Sequence, residues 1–239
     1  MMQEKISKVS IVIPARNEEE TIGMVLGDLK KVLPTIRDYE FETIVIDDGS
    51  TDKTASIAQE FATRVITNAG EHGKGNALKL GFKEAAGDII IMLDADYSHR
   101  IEELPAFLEA IKESTLVVGS RHTGGSDEYT LIRGLGNYTL SYVFRTVWGI
   151  KLTDALNGYK CFRKEVVKNH EYKSKNFEIE LELIANALKE GNGIVTEVPS
   201  HERLRAGGEM KSNALREGWK FFSAIMRYGV AYRLSRLSQ

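Results

Sequence analysis

The chain has 239 residues, 42% hydrophobic and 28% charged, enough for one substantial domain with its own core. Lys plus Arg number 32 against 34 Asp plus Glu, a formal net charge of -2, so the balance argues against nucleic-acid binding over a broad basic surface. The one cysteine, Cys161, excludes an intrachain disulfide and is compatible with a reducing compartment. Met1 to Lys8 carries no apolar signal core, and no run approaches the ~20 apolar residues that span a bilayer. The expected location is cytoplasmic, either free or peripheral on the cytoplasmic face of a membrane.

Lys8 to Pro14 (KVSIVIP) reads as a buried strand stopped by proline. A helix is expected next, with Asn17 as its N-cap, acids in its first turn, and an end near Val32. Phe41 to Ile46 is a second strand, running into Asp47-Asp48-Gly49-Ser50. Ser50 or Thr51 is expected to cap a helix through Phe61. Arg64 to Thr67 is a third strand. Lys74 to Ala86 has a helical pattern closed by Gly87. Asp88 to Leu93 is a strongly apolar strand ending at Asp94. Glu102 to Glu113 is helical, and Leu116 to Gly119 is a strand. This alternation predicts the α/β class, with a Rossmann-like, doubly wound, mostly parallel sheet flanked by helices.

Beyond Ser120 the pattern is less regular. Residues 123–133 read as a loop, 136–148 as a helix, 151–163 as a mixed segment and 177–190 as a helix ended by Gly191-Asn192-Gly193. Ile194 to Val198 is a strand stopped by Pro199, 201–211 a basic loop, and 214–237 a long helix. No repeat or linker interrupts the chain, so a single domain over 1–239 is expected.

Ligands of doubly wound sheets sit at the carboxyl ends of strands. Four clusters fall there: Pro14 to Glu18, Asp47-Asp48, Asp94 to Asp96 and Ser120-Arg121. Asp94 and Asp96 flank one residue, and both converge on a hard divalent cation if the chain turns at that point. Mg²⁺ and Mn²⁺ take such oxygen ligands, complete their shell with phosphate and water, and offset the charge of a leaving diphosphate. The three-residue pattern alone is common and also fits a pair of turn acids; its place among the other clusters favours a ligand. His99 is an extra candidate ligand.

Asp47 or Asp48 suits a base N–H or a ribose hydroxyl, and Gly49 lets the chain turn; the alternative is a helix cap. In His72-Gly73-Lys74-Gly75 the lysine can reach a phosphate, without the spacing of a nucleoside-triphosphate loop; the segment reads equally as a turn. Arg121, Arg133, Arg163, Arg203, Arg205 and Lys211 form a phosphate clamp where they converge and plain surface charge where they do not. The group in 201–211 suits a loop that closes on an anion.

On these residues the chain resembles family-2 glycosyltransferases of the GT-A fold, and within them the polyprenyl-phosphate (dolichyl-phosphate) mannose or glucose synthases. The matching segments are VIPARNEEETI (12–22), IDDGSTDKT (46–54), GKGNALKLGF (73–82), GDIIIMLDADYSH (87–99), GSR (119–121), LTDALNGYKCFRKEV (152–166), FEIELELIANALKEG (177–191) and EVPSHERLRAGGEMK (197–211). The resemblance implies an inverting hexosyltransferase that uses a UDP- or GDP-hexose and a polyprenyl phosphate. It assigns residues 1–122 to nucleotide-sugar binding, 123–213 to the acceptor, and 214–239 to a C-terminal helix. Pro14, Ala15, Glu18, Asp47, Asp48, Lys74 and Ala95 would contact the nucleotide sugar. Asp94 and Asp96 would hold Mg²⁺ or Mn²⁺. Arg121, Arg133, Arg205 and Lys211 would hold phosphates.

A phosphate acceptor needs no strong base, whereas a hydroxyl acceptor does, with Asp154 and Glu178 the candidates. Three positions depart from the family pattern. Arg16 stands where an aromatic is usual, Ser98 replaces a glutamine of some mannose synthases, and Met210 replaces a serine. Residues 214–237 combine aromatics with arginines, which fits either an interfacial helix on anionic lipid or a helix packed on the core. Two other readings stand beside the lipid-phosphate one: a saccharide or other soluble acceptor, and a sugar-nucleotide-binding module without turnover. A nucleotidyltransferase fits less well, because its glycine-rich loop after the first strand is missing.

Overall fold

The computed structural model describes residues 7–128, 131–190, 193–206 and 214–237. Seven strands form one sheet in the order β3-β2-β1-β4-β6-β5-β7. They are β1 (Ser7–Ala15), β2 (Tyr39–Asp47), β3 (Arg64–Thr67), β4 (Ile89–Met92), β5 (Leu116–Ser120), β6 (Lys160–Arg163) and β7 (Val195–Pro199). All neighbours are parallel except β6, which runs antiparallel between β4 and β5. The doubly wound, mostly parallel sheet expected from the sequence is therefore present. The mixed segment 151–163 supplies the strand that the sequence pattern left unassigned. With Lys160 and Arg163 in four residues, β6 shows neither an apolar run nor a polar–apolar alternation.

Helices cover both faces. On one lie α1 (Ile22–Val32), α2 (Thr54–Gln59) and α4 (Leu104–Ala110), packed on Ile11, Ile13, Val45 and Val117. On the other lie α3 (Lys74–Glu84), α6 (Leu131–Trp148), α7 (Glu165–Lys168), α8 (Ile179–Ala187) and α9 (Ala214–Leu237), packed on Val12, Ile44, Ile46 and Phe162. The short α5 (Arg121–Gly124) follows β5. Val9 and Ile11 to Ile13 are all 0% exposed, as a parallel strand covered on both faces requires.

Two expected caps are corrected. Asn17 has φ 52° and does not cap α1, whose N-cap is Thr21. Instead Asn17 Oδ1 accepts from Thr51 N at 2.8 Å, tying the loop after β1 to the loop after β2. Neither Ser50 nor Thr51 caps α2, whose N-cap is Lys53; Asp52, one residue earlier, accepts from Thr54 N at 2.9 Å. Part of the expected 123–133 loop is helical, since α5 ends at Gly124 and α6 starts at Leu131.

Helix α9 lies against α6 and α8. Trp148 on α6 donates to Ile225 O at 3.0 Å and stacks on Tyr232. Ala224, Ile225 and Tyr232 are buried, while Trp219, Met226, Val230 and Leu234 are exposed on the same helix. Among the described residues no helix is long and apolar enough to cross a membrane.

Candidate active site

A cleft of about 420 Å³ opens at the carboxyl ends of β1, β2 and β4. Pro14, Ala15, Arg16 and Glu18 form the wall after β1, and Asp48 the wall after β2. Asp94, Ala95 and Asp96 leave β4 into the same space, and Lys74 enters from the first turn of α3. Asn176, Phe177, Arg205 and Lys220 close the remaining sides.

Just after Asp96 the chain turns at Tyr97, whose φ is 64°. A non-glycine residue held in this region stores strain, a common mark of functional loops. Tyr97 is fixed there by its hydroxyl, which donates to Asp28 Oδ2 at 2.8 Å, and by the Arg203 guanidinium 4.7 Å from its ring. Asp94 then has room because residue 158 is glycine. A Cβ at Gly158 would collide with Asp94 Oδ2.

Lys74 Nζ lies 2.6 Å from Asp94 Oδ1 and 2.9 Å from Glu180 Oε1. Burial disfavours both charged forms, but the pairing outweighs it. The pKa of Lys74 is raised by Asp94 and Glu180, and that of Asp94 falls below the usual carboxylate range because of Lys74 and His99. The two glycines around Lys74 bring α3 against residues 174–176. Gly75 N donates to Lys175 O at 3.0 Å, and a Cβ at Gly73 or Gly75 would strike the Lys175 backbone. The GKG segment is thus a close-packing turn that places Lys74 in the cleft wall.

Asp96 is held differently. Its Oδ1 accepts from Ser98 N at 3.1 Å and from the Ser98 hydroxyl at 2.6 Å, and its Oδ2 accepts from Arg205 at 2.6 Å. Asp48 lines the cleft with both oxygens engaged, by Asn68 Nδ2 and Gly73 N at 2.7 Å each. Asp47 is absent from the cleft wall: it is 5% exposed and accepts from Ser50 N.

The Ser120-Arg121 cluster lies outside the cleft wall. Arg121 forks onto Asp154, with Nε and Nη2 at 2.6 and 2.8 Å, and also reaches Glu202 at 3.0 Å. Asp154 is 1% exposed with both oxygens taken by Arg121. It anchors the arginine through both oxygens. Beside it, burial raises the pKa of Glu197, which accepts from Thr153 N and Asp154 N. Glu178 stands at the N-cap of α8, outside the cleft wall. Arg163 leaves the clamp altogether and donates to the carbonyls of Ile111, Lys112 and Ser114 at the end of α4. Arg133 is on α6 with its side chain outside the described residues, as is Lys211 entirely.

Sequence reasoning missed Glu180, Phe177, Lys220 and Gly158. Glu180 sits in FEIELEL, whose acids read as a solvated helix face, yet Glu180 and Glu182 are 2% and 5% exposed. Phe177 places its ring 5.0 Å from Lys74 Nζ.

The donor set fits a hard cation that these residues would hold only in part. Asp94 and Asp96 supply oxygens, and the buried His99 Nε2 has no hydrogen-bond partner and lies 3.5 Å from Asp94 Oδ2. No group of three or more His, Cys, Asp or Glu gathers among the described residues. Two carboxylates suit Mg²⁺ or Mn²⁺ whose remaining positions are filled by ligand phosphate and water.

The chain is similar to several known proteins. Residues 10–170 match the family described as Glycosyl transferase family 2. A dolichol-phosphate mannosyltransferase of Pyrococcus furiosus is 34% identical over 85% of this chain, which spans 59% of that protein's length. An undecaprenyl-phosphate mannosyltransferase of Micrococcus luteus is 29% identical over 95% of this chain and 96% of its own. A dolichyl-phosphate hexose transferase of Haloferax volcanii is 28% identical over 98% and 99%. Among solved structures, glucosyl-3-phosphoglycerate synthase of Mycobacterium tuberculosis with Mn²⁺, UDP-glucose and phosphoglyceric acid superposes with TM-score 0.69 at 21% identity, covering 93% of this chain and 80% of that one. Mannosyl-3-phosphoglycerate synthase of Rubrobacter xylanophilus gives TM-score 0.72 at 20% identity, covering 97% and 75%. These structures share the GT-A fold. The chain, with its strand-end carboxylates on that fold, belongs to glycosyltransferase family 2.

Proposed function

We propose that the protein transfers a hexose, with inversion, from a UDP- or GDP-hexose to a polyprenyl phosphate in a reaction that requires Mg²⁺ or Mn²⁺. The observation that carries this reading is the cleft itself. One lysine, two arginines and a second lysine face two carboxylates at the end of β4, a charge pattern made for a diphosphate with a cation between. Relatives that match nearly end to end act on polyprenyl phosphates by name, which supports the acceptor.

Asp94 and Asp96 would hold the cation, whose chemistry is to offset charge on the departing diphosphate. Asp48 and the Pro14–Glu18 wall would receive the nucleoside, Lys74 the phosphates and Ala95 the sugar, all of them lining the cleft. Arg205 would leave Asp96 when the donor enters and turn to phosphate. Arg121, Arg133 and Lys211 are assigned to the acceptor side. The acceptor oxygen attacks the anomeric carbon as the bond to the diphosphate breaks, and the diphosphate leaves with the electron pair.

A phosphate acceptor is largely ionised near neutral pH, with its second pKa at about 6, so no carboxylate must take a proton. That agrees with Asp154, whose two oxygens are committed to Arg121. A saccharide acceptor would require a base that neither Asp154 nor Glu178 is placed to supply. The exposed Trp219, Met226, Val230 and Leu234 of α9, interleaved with the exposed Arg227 and Arg233, are assigned to peripheral contact with a membrane carrying the acceptor.

The test is transfer of radiolabelled hexose into an organic-extractable product, screened over UDP- and GDP-sugars with Mg²⁺ and Mn²⁺. One donor should label a lipid product, and chelation should abolish it. Labelling of a water-soluble saccharide instead would replace this reading with the second.

A further inference from the structure

Lys160 is a lysine in the middle of the sheet. It pairs in register with Met92 on β4 and Val118 on β5, and it is 0% exposed. Strand alternation puts Lys160 on the face of Phe162, beneath α3 and α8, while Cys161 faces the opposite layer. An ammonium group there loses its hydration and persists only if paired. Its partners are Glu180 Oε2 at 3.4 Å and the Asn157 carbonyl.

Glu180 also holds Lys74, and Lys74 holds Asp94. Four charged groups therefore alternate in sign from the cleft into the sheet: Asp94, Lys74, Glu180, Lys160. The first three sum to one net negative charge, at a place where an anionic donor must arrive. Burial lowers the pKa of the fourth and Glu180 counters it; in its charged form Lys160 restores neutrality without touching the ligand. Lys160 has a second line of influence. The Asn157 carbonyl that it holds is one residue from Gly158, which packs directly against Asp94.

We propose that Lys160 is a positioning residue for the donor-diphosphate site: it balances Glu180 so that Lys74 can present its positive charge to phosphate. This rests on the donor reading of the cleft given above. Glu180 without its buried counter-ion would draw Lys74 inward and leave the cleft floor negative. The effect is electrostatic, so it follows the charge sum rather than the shape of residue 160.

The experiment is calorimetric titration of the full chain with UDP and with GDP, each with Mn²⁺, in wild type, Lys160→Met and the double variant Lys160→Met/Glu180→Gln. Lys160→Met is expected to weaken binding about tenfold or more. The double variant, neutral again and still offering Lys74 a carbonyl at position 180, is expected within about threefold of wild type. The proposal is overturned if Lys160→Met binds within about threefold of wild type, or if the double variant is as weak as the single one. Should Lys160→Met fail to fold, the double variant decides alone: recovery to near wild type supports the charge balance, and a tenfold or larger loss, on the order above, overturns it. If wild type binds neither nucleotide, the donor reading fails. The Lys160 role is then decided by the side-chain ammonium NMR signal of Lys74, expected to shift in Lys160→Met, which keeps both carboxylate partners of Lys74, and contradicting the proposal if it does not move.

Discussion

Two cation–carboxylate pairs of equal length, 2.6 Å, flank Ala95 at the end of β4. Their surroundings differ. Lys74 starts a helix, is 12% exposed, and has Glu180 and the Phe177 ring as further partners. Arg205 comes from the segment after β7, is 30% exposed, and is tied by its backbone N–H to Glu128. The first pair is built into the packing of the start of α3 against residues 174–176, with Glu180 of α8 as a further partner. The second lies across the cleft mouth, where solvent weakens it and an incoming ligand can exchange with it. In the proposed donor site the fixed charge would define where phosphate goes, and the displaceable one would keep Asp96 compensated until phosphate arrives.

That contrast can be broken from its strongest side first. Asp94→Asn should lower kcat/KM for the nucleotide sugar about 10³-fold in a nucleoside-diphosphate release assay. Lys74→Met should cost about 10²-fold in the same assay and also about 3 kcal/mol in a urea titration, because it leaves a buried acid uncompensated. Gly158→Ala alters no charge and should still cost roughly 30-fold by moving Asp94. Arg205→Ala should cost about tenfold at low salt and less at high salt, with unchanged urea stability, since its pair is partly exposed. Equal stability losses for Lys74→Met and Arg205→Ala would erase the distinction between the two pairs.

The pH dependence of stability gives the smallest effect. Asp94 has a folded pKa below its ordinary 3.8, so its contribution is complete above that value and is lost as pH falls toward the folded pKa. Glu197, raised by burial above 4.5, acts in the opposite direction: it opposes folding at higher pH, and that opposition fades on acidification. Thermal melts across the acid range should show wild type losing stability faster than Asp94→Asn.

The N-terminal half of the molecule was legible because parallel strands leave apolar runs and place charged residues at their ends. Val9 to Pro14, Ile44 to Asp48 and Ile89 to Asp96 announce strand and cleft wall together. The C-terminal half was not, because its geometry depends on pairs distant in sequence. Arg121 meets Asp154 and Glu202, and Arg205 meets Asp96, across 33, 81 and 109 residues. Local pattern carries no record of such partners. Lys160 and Glu180 were unreadable for a related reason: a charge in a short segment reads as surface until tertiary packing buries it with its counter-ion.

The central claim, a diphosphate-leaving transfer onto a phosphate acceptor, is tested most directly by nucleoside-diphosphate release with a short-chain polyprenyl phosphate and with the matching free polyprenol. The account predicts release that depends on the phosphate, with the alcohol inert. Equal release with the alcohol, or release that a saccharide supports without lipid, would contradict it.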